Sequence, residues 1–390
     1  MKTSTDRILT THVGSLPRSQ PVVDLIFAQE KGEPIDLPVF NATMQDAVDA
    51  VVKQQVKSGI DIVSDGEMSK ISYATYIKDR FTGFDGDSPR RTPSDLLDFP
   101  SFMKRLSGGG GTPTYRRPCC VGPIRVKTMQ PLADDIAHVQ AAATKHGATE
   151  VFMNSASPGV ISLFQPNQHY VDDDAYLEAL AQAMAHEYKA IVDAGLLLQL
   201  DSPDLGLGRH MMYRDLDEAA YFKRIEQHVE ALNASLVGIP ADRIRMHVCW
   251  GNYEGPHHKD VGLEKILPIV MKAKPQALLF ETSNPRHAHE WAVIRDMKHI
   301  IPDDKILIPG VLDSTTNFIE HPQLVAQRLG NFIDTVGRER VIAGTDCGFG
   351  TFAGFGVVDA EIVYAKFEAM AEGARIATAK YWKYYSDTQI

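Results

Sequence analysis

The chain has 390 residues, 44% hydrophobic and 23% charged, with a formal net charge of -10. This mixture excludes a disordered or fibrous chain, and the acidic balance leaves no cationic excess to neutralise the phosphates of a nucleic acid or an anionic membrane. A small-molecule ligand is the expectation. The four cysteines, with Cys119 and Cys120 adjacent, make no disulfide framework and suit a reducing cytoplasm. The N-terminal residues have no signal-peptide core, and no stretch reaches ~18 uninterrupted apolar residues, so a cytosolic, unanchored protein is expected.

In chain order, short β-rich runs alternate with amphipathic helices. The candidate strands are Ile8 to Gly14, Ile60 to Asp65, Cys119 to Val126, Glu150 to Asn154, Leu196 to Asp201, Arg243 to Cys249, Ala277 to Glu281, Lys305 to Asp313 and Arg340 to Asp346. This βα alternation predicts an α/β fold, a (β/α)8 TIM barrel occupying residues 1–390 as one domain. One strand candidate is then surplus and is expected outside the barrel. The helices are clearer. Val48, Val51, Val52 and Val56 recur at helical spacing between Asp46 and Gly59, and Leu177, Leu180, Met184, Tyr188 and Ile191 do so between Asp174 and Gly195.

Residues 85–117 interrupt the pattern with Gly, Pro and charge and present no continuous apolar face. They read as an insertion, either a lid over the mouth of the site or an unstructured surface excursion, with the Gly108 to Gly111 run as a flexible hinge. That run has neither the preceding strand nor the following helix that a phosphate-cradling loop needs.

The chemistry centres on Arg243 to Trp250. Residues two apart on a strand share a face, so His247 and Cys249 point one way while Met246, Val248 and Trp250 point the other. Alone, such a pair is as readily plain core. Glu281 and Cys347, however, close two further strand candidates, and in a parallel barrel those carboxyl ends face the site. One His, two Cys and one Glu complete a tetrahedral zinc site; otherwise Glu281 caps the next segment and Cys347 fills core. His257, His258 and Asp260 follow Gly255-Pro256 and read as exposed loop.

With these residues in view, the chain resembles the catalytic domain of cobalamin-independent methionine synthase and its shorter relatives, including epoxyalkane:coenzyme M transferase. The likeness lies in His247-Val248-Cys249, Glu281-Thr282-Ser283 and Asp346-Cys347-Gly348, and extends to Thr10-Thr11-His12-Val13-Gly14-Ser15, Asp65-Gly66-Glu67, Gly122-Pro123-Ile124 and Leu200-Asp201-Ser202-Pro203. The resemblance implies zinc on His247, Cys249, Glu281 and Cys347, a thiol bound as thiolate, and methyl transfer to homocysteine in methionine biosynthesis. It implies substrate contacts for Ser15, Glu67, Asp201 and Asp313.

The pattern departs from the family in three places. Asp201-Ser202-Pro203 replaces an Asp-Glu-Pro. Thr315 stands where the methionine synthases carry a His that protonates the leaving group, leaving His210 and His287 as candidate general acids. The sequence has no counterpart of the preceding barrel that helps hold a polyglutamyl folate in full-length members, so the expected donor is a corrinoid-bound methyl on a partner protein, a short-tailed folate, or an epoxide or other small alkyl donor. An epoxide-opening transfer to coenzyme M is the alternative reading, with Arg209, Arg286 or Lys70 to meet its sulfonate. A metal-free uroporphyrinogen decarboxylase-like enzyme, or a corrinoid- or metal-binding module, is the alternative from another class.

Overall fold

The computed structural model describes residues 1–89, 91–108 and 115–383. Its strands are β1 (Ile62–Val63), β2 (Phe84–Asp85), β3 (Cys119–Cys120), β4 (Glu150–Ala156), β5 (Leu197–Asp201), β6 (Ile244–Val248), β7 (Ala277–Phe280), β8 (Ile306–Leu312) and β9 (Gly344–Thr345). Seven of them form one parallel sheet in the order β1-β4-β5-β6-β7-β8-β9.

The segment Thr10–Thr11 bridges the two sheet edges, with Thr10 parallel to Ala343 and Thr11 parallel to Ile62. Its backbone bonds, Thr11 N to Ala343 O at 2.8 Å and Ile62 N to Thr10 O at 3.1 Å, make it the eighth stave of a (β/α)8 barrel. Arg245 holds it from within: the guanidinium donates to Thr11 Oγ1 at 2.8 Å and His12 O at 2.7 Å and lies 4.0 Å from the Phe152 ring centroid. The surplus strand is Cys119–Cys120, which pairs antiparallel with β2 outside the barrel.

Strands β5 to β8 are buried on both faces, which explains their near-continuous apolar sequences. Ile62, Phe152, Leu197, Leu279, Ile308 and Ile342 pack inside the barrel, and a larger cluster lies between sheet and helices. The two expected helices run over Leu37–Lys57 and Asp173–Asp193. Asp36 and Asp172 cap them by accepting from Val39 N at 3.2 Å and Ala175 N at 2.8 Å.

Within 85–117 the chain is not featureless. Helices Ser94–Leu97 and Pro100–Gly108 form, and Leu96, Phe102, Arg105 and Leu106 face the large cavity at the strand ends. The glycine run read as a hinge falls, apart from Gly108, outside the described residues.

Candidate active site

The barrel brings three of the expected ligands together. His247 sits on β6 opposite Asp201 of β5, Cys249 follows β6, and Cys347 follows β9. Their ligand atoms all lie within 4.8 Å of one another, and the two sulfurs are 3.5 Å apart. His247 is 2% exposed and neither ring nitrogen makes a well-formed hydrogen bond, an arrangement that is costly unless something absent from the protein alone occupies it. Burial and the neighbouring Arg245 push His247 down to about 3, so its imidazole is neutral and able to donate a lone pair. The hydrogen-bonded Cys347 thiol, with burial, drives the Cys249 thiol well above its ordinary value. Two sulfurs and an unpaired imidazole are the donors zinc prefers.

Glu281 is not one of that close group. Its Oε1 accepts from Trp250 N at 2.9 Å and its Oε2 from Asn284 Nδ2 at 2.8 Å, which pins it beside Cys249. Burial raises its pKa. Asp346, next to Cys347, accepts from the backbone N–H of Thr282 at 2.8 Å and of Asn284 at 2.7 Å. The Glu281 turn and the Cys347 turn are thereby tied as one unit. A second close approach fixes Cys347 on its other side: a Cβ at Gly348 would lie 2.0 Å from Ser15 Oγ. Gly348→Ala is therefore expected to cost ~1–3 kcal/mol by overpacking, measured by thermal melting.

A cavity of about 910 Å³ opens over these groups, and Ser15, Glu67, Asp201, His247, Cys249 and Cys347 all line it. Asp201 is held by Asn154 Nδ2 at 2.8 Å and Gln199 Nε2 at 2.9 Å. Burial nevertheless outweighs these bonds and lifts it to about 6. Glu67 adopts a left-handed backbone at φ 58°, directly after Gly66 at φ 66°. Such a conformation costs ~1–3 kcal/mol in a non-glycine residue and aims the carboxyl at the cavity. Its Oε2 makes no hydrogen bond, and Arg18 Nη2 stands 3.9 Å away. Burial raises Glu67 to about 8 despite Lys70 and Arg18, with Asp201 adding to the rise.

Several expected residues lie elsewhere. Asp313 does not line the cavity; it accepts from Thr315 N at 2.8 Å and Thr316 Oγ1 at 3.0 Å and so shapes its own loop. Arg209, Arg286 and Lys70 are also off the cavity wall: Arg209 bonds Tyr213 O, Arg286 is exposed, and buried Lys70 stands 3.5 Å from Asp65.

The region expected as exposed loop is partly a buried charge network. Asp260, 8% exposed, takes His257 Nδ1 and His287 Nε2 on one oxygen at 2.9 Å each, while His210 Nδ1 stands 3.1 Å from the other. His287 also meets Glu290 Oε2 at 3.0 Å. Neither His210 nor His287 reaches the cavity, but Tyr253, 3.4 Å from His210 Nε2, lines it. His258, by contrast, is exposed as expected. The burial of Asp260 was hidden in the sequence because its partners come from three separate segments.

The fold and site define a (β/α)8 barrel with an imidazole and two thiols gathered at the carboxyl ends of its strands. No family model matches the chain. It is 24% identical over 372 residues to a methionine synthase of Saccharolobus solfataricus, covering 94% of each chain, and 23% identical over 369 residues to one of Sulfurisphaera tokodaii, covering 94% of this chain and 91% of that protein. Its fold matches a B12-independent methionine synthase from Shewanella sp. W3-18-1, solved with selenomethionine, at TM-score 0.72 and 18% identity over 97% of this chain and 99% of that one. It also matches a methyltransferase from Methanosarcina mazei at TM-score 0.53 and 14% identity over 95% and 94%. Over nearly its whole length the chain is thus similar in sequence to archaeal methionine synthases, and it shares its fold with a B12-independent methionine synthase.

Proposed function

We propose that this chain is a zinc-dependent methyltransferase that methylates homocysteine. The observation that carries the reading is the unpartnered His247 imidazole beside two thiols, on the wall of a cavity that also holds two buried carboxylates. His247, Cys249 and Cys347 would hold the metal, with Glu281 as the fourth ligand in the absence of substrate. Bound there, zinc supplies a thiolate nucleophile at neutral pH by lowering the pKa of the substrate thiol. The methyl group then leaves its donor and forms a carbon–sulfur bond as the thiol proton is released.

The protein's part is positioning. Glu67 and Asp201 are buried carboxylates, raised in pKa because no cation fully compensates them, and an ammonium group of an amino-acid thiol is the complement they lack. The same inner wall disfavours coenzyme M, whose sulfonate would meet carboxylates in place of cations. Asn154 and Gln199 orient Asp201, and the strained turn at Gly66-Glu67 orients Glu67.

Methionine tests the ammonium contact without a titrating thiol. Glu67 must ionise to pair with it, so affinity is expected to rise about tenfold per pH unit between pH 6 and 8 and then to level off. Glu67→Gln should bind more weakly and lose that slope in isothermal titration. Methyl transfer to homocysteine is checked by product assay on the zinc-loaded protein beside Cys249→Ser; equal rates would sink the proposal. All four cysteines are free, and among the described residues no helix is long and apolar enough to cross a membrane. A reducing cytoplasm is the setting we propose.

A further inference from the structure

Residues Ser15 to Arg18 follow the stave at Thr10–Thr11 and run between the two turns that carry Glu67 and Cys347. Leu16 N donates to Gly66 O at 3.0 Å on one side, and Phe349 N donates to Ser15 O at 2.8 Å on the other. The fit is close: a Cβ at Gly350 would lie 2.5 Å from Leu16 O. Arg18 completes the bridge. Its Nε donates to Glu67 O at 2.9 Å and its Nη1 to Gly350 O at 2.6 Å, so one guanidinium straps the Glu67 turn to the loop after Cys347.

That strap uses two of the three nitrogens. The third, Nη2, makes no hydrogen bond although the Arg18 side chain is only 1% exposed, and it faces Glu67 Oε2, which makes none either, across 3.9 Å. A charge-assisted N–H···O bond closes at about 2.7–2.9 Å, so the two groups stop about 1 Å short of pairing. Leaving both unmatched is costly in a buried site, and a strap between two carbonyls needs no full charge. The other charged groups around Glu67 are engaged: Lys70 stands 3.5 Å from Asp65 and over the Tyr76 ring, and Asp201 is held by Asn154 and Gln199. What the row lacks is a cation between Asp201 and Glu67. An ammonium there gives the order Asp201, ammonium, Glu67, Arg18, in which every charge has an opposite neighbour.

We infer that Arg18 is a positioning residue that makes capture of a thiol at the metal site depend on an amino group in the same molecule. When an ammonium pairs with Glu67, Arg18 Nη2 closes on the free Oε2 of that carboxylate, and the Cys347 loop it holds through Gly350 is fixed with it. No covalent bond changes in this step. A thiol acid of the same length without the amine leaves the pair open. The inference rests on the reading of the cavity's inner end as a thiol site beside the metal ligands.

The test is equilibrium binding of homocysteine and of 4-mercaptobutyrate, which has the same thiol and carboxylate but no amine, to the zinc-loaded protein by isothermal titration. Both thiols ionise at the metal, so the change in the ratio of their affinities isolates the amino group. Wild type is expected to prefer homocysteine, and Arg18→Met to lose about tenfold or more for homocysteine but less than about threefold for 4-mercaptobutyrate. Arg18→Lys keeps the charge, but its single nitrogen cannot serve both carbonyls and the carboxylate, so its ratio should fall between the two. In a Glu67→Gln background, Arg18→Met should change the ratio by less than about twofold, because the carboxylate it acts through is gone. A strap with a purely structural role gives equal losses for both thiols, or the same loss with and without the Glu67 carboxylate. Either result overturns the proposal, as does a wild type without preference. A wild-type ratio in Arg18→Lys overturns it too, and that variant is read alone if circular dichroism shows Arg18→Met unfolded. If neither thiol binds zinc-loaded wild type, the functional reading itself fails, and that is seen before any variant is compared.

Discussion

Replacing Cys249 or Cys347 with serine is expected to abolish zinc retention and to lower methyl transfer by more than ~100-fold, since losing even a residue that merely orients a ligand typically costs 10–100-fold. The two sulfurs stand 3.5 Å apart on the ends of β6 and β9, so each substitution removes one of two soft donors from a site that has no third. A serine hydroxyl is a poor zinc ligand at neutral pH. The fold should survive, because both residues end their strands and neither belongs to the large apolar cluster. Elemental analysis gives the zinc content and circular dichroism the fold. Full activity in variants that hold no zinc would favour the metal-free class of enzyme.

The second large effect is one of stability. Asp260→Asn is expected to destabilise the protein by ~3–5 kcal/mol, because it removes the charge shared by a buried set of imidazoles, taking the ion-pair partner of His257 and leaving His287 with Glu290 alone. The effect carries a pH signature. Burial opposes the charged form of His287, but Asp260 and Glu290 outweigh it and lift it to about 10. A raised folded pKa contributes stability that is complete below the ordinary 6.5 and disappears as pH climbs through about 10. Asp260 behaves oppositely. Burial raises it, the three imidazoles more than reverse this, and its contribution is complete above the ordinary 3.8 and lost in strong acid. Wild type should therefore lose denaturation midpoint between pH 6.5 and 10, and Asp260→Asn should lose much less over that range. Parallel curves for the two proteins would show that the network does not titrate as described.

The barrel was legible in the sequence because a parallel sheet covered on both faces writes itself as apolar runs ending in polar residues. Eight of the nine strand candidates contribute to the barrel wall. Cys119–Cys120 misled because its apolar character serves a two-stranded ribbon beside residues 85–117, a use that periodicity does not distinguish from a stave. The clustering of His247, Cys249 and Cys347 was legible through strand parity and strand ends, which place them in one spot once the sheet closes. Glu281 shows the limit of that reasoning: its position was clear, but the bonds from Trp250 N and Asn284 Nδ2 that hold it come from loop geometry. The bonds of Asp313 likewise come from loop geometry, its oxygens accepting from the hydroxyls and backbone of its own turn.

In the proposed mechanism, His247, Cys249 and Cys347 hold a metal to which the substrate thiol binds. Cobalt-substituted protein tests it most directly, since thiolate-to-cobalt charge-transfer intensity counts the sulfur ligands. Bands corresponding to two thiolates are expected in the resting protein, with a rise corresponding to a third when homocysteine is added. No thiolate band at all, or a resting spectrum that homocysteine leaves unchanged, would contradict it.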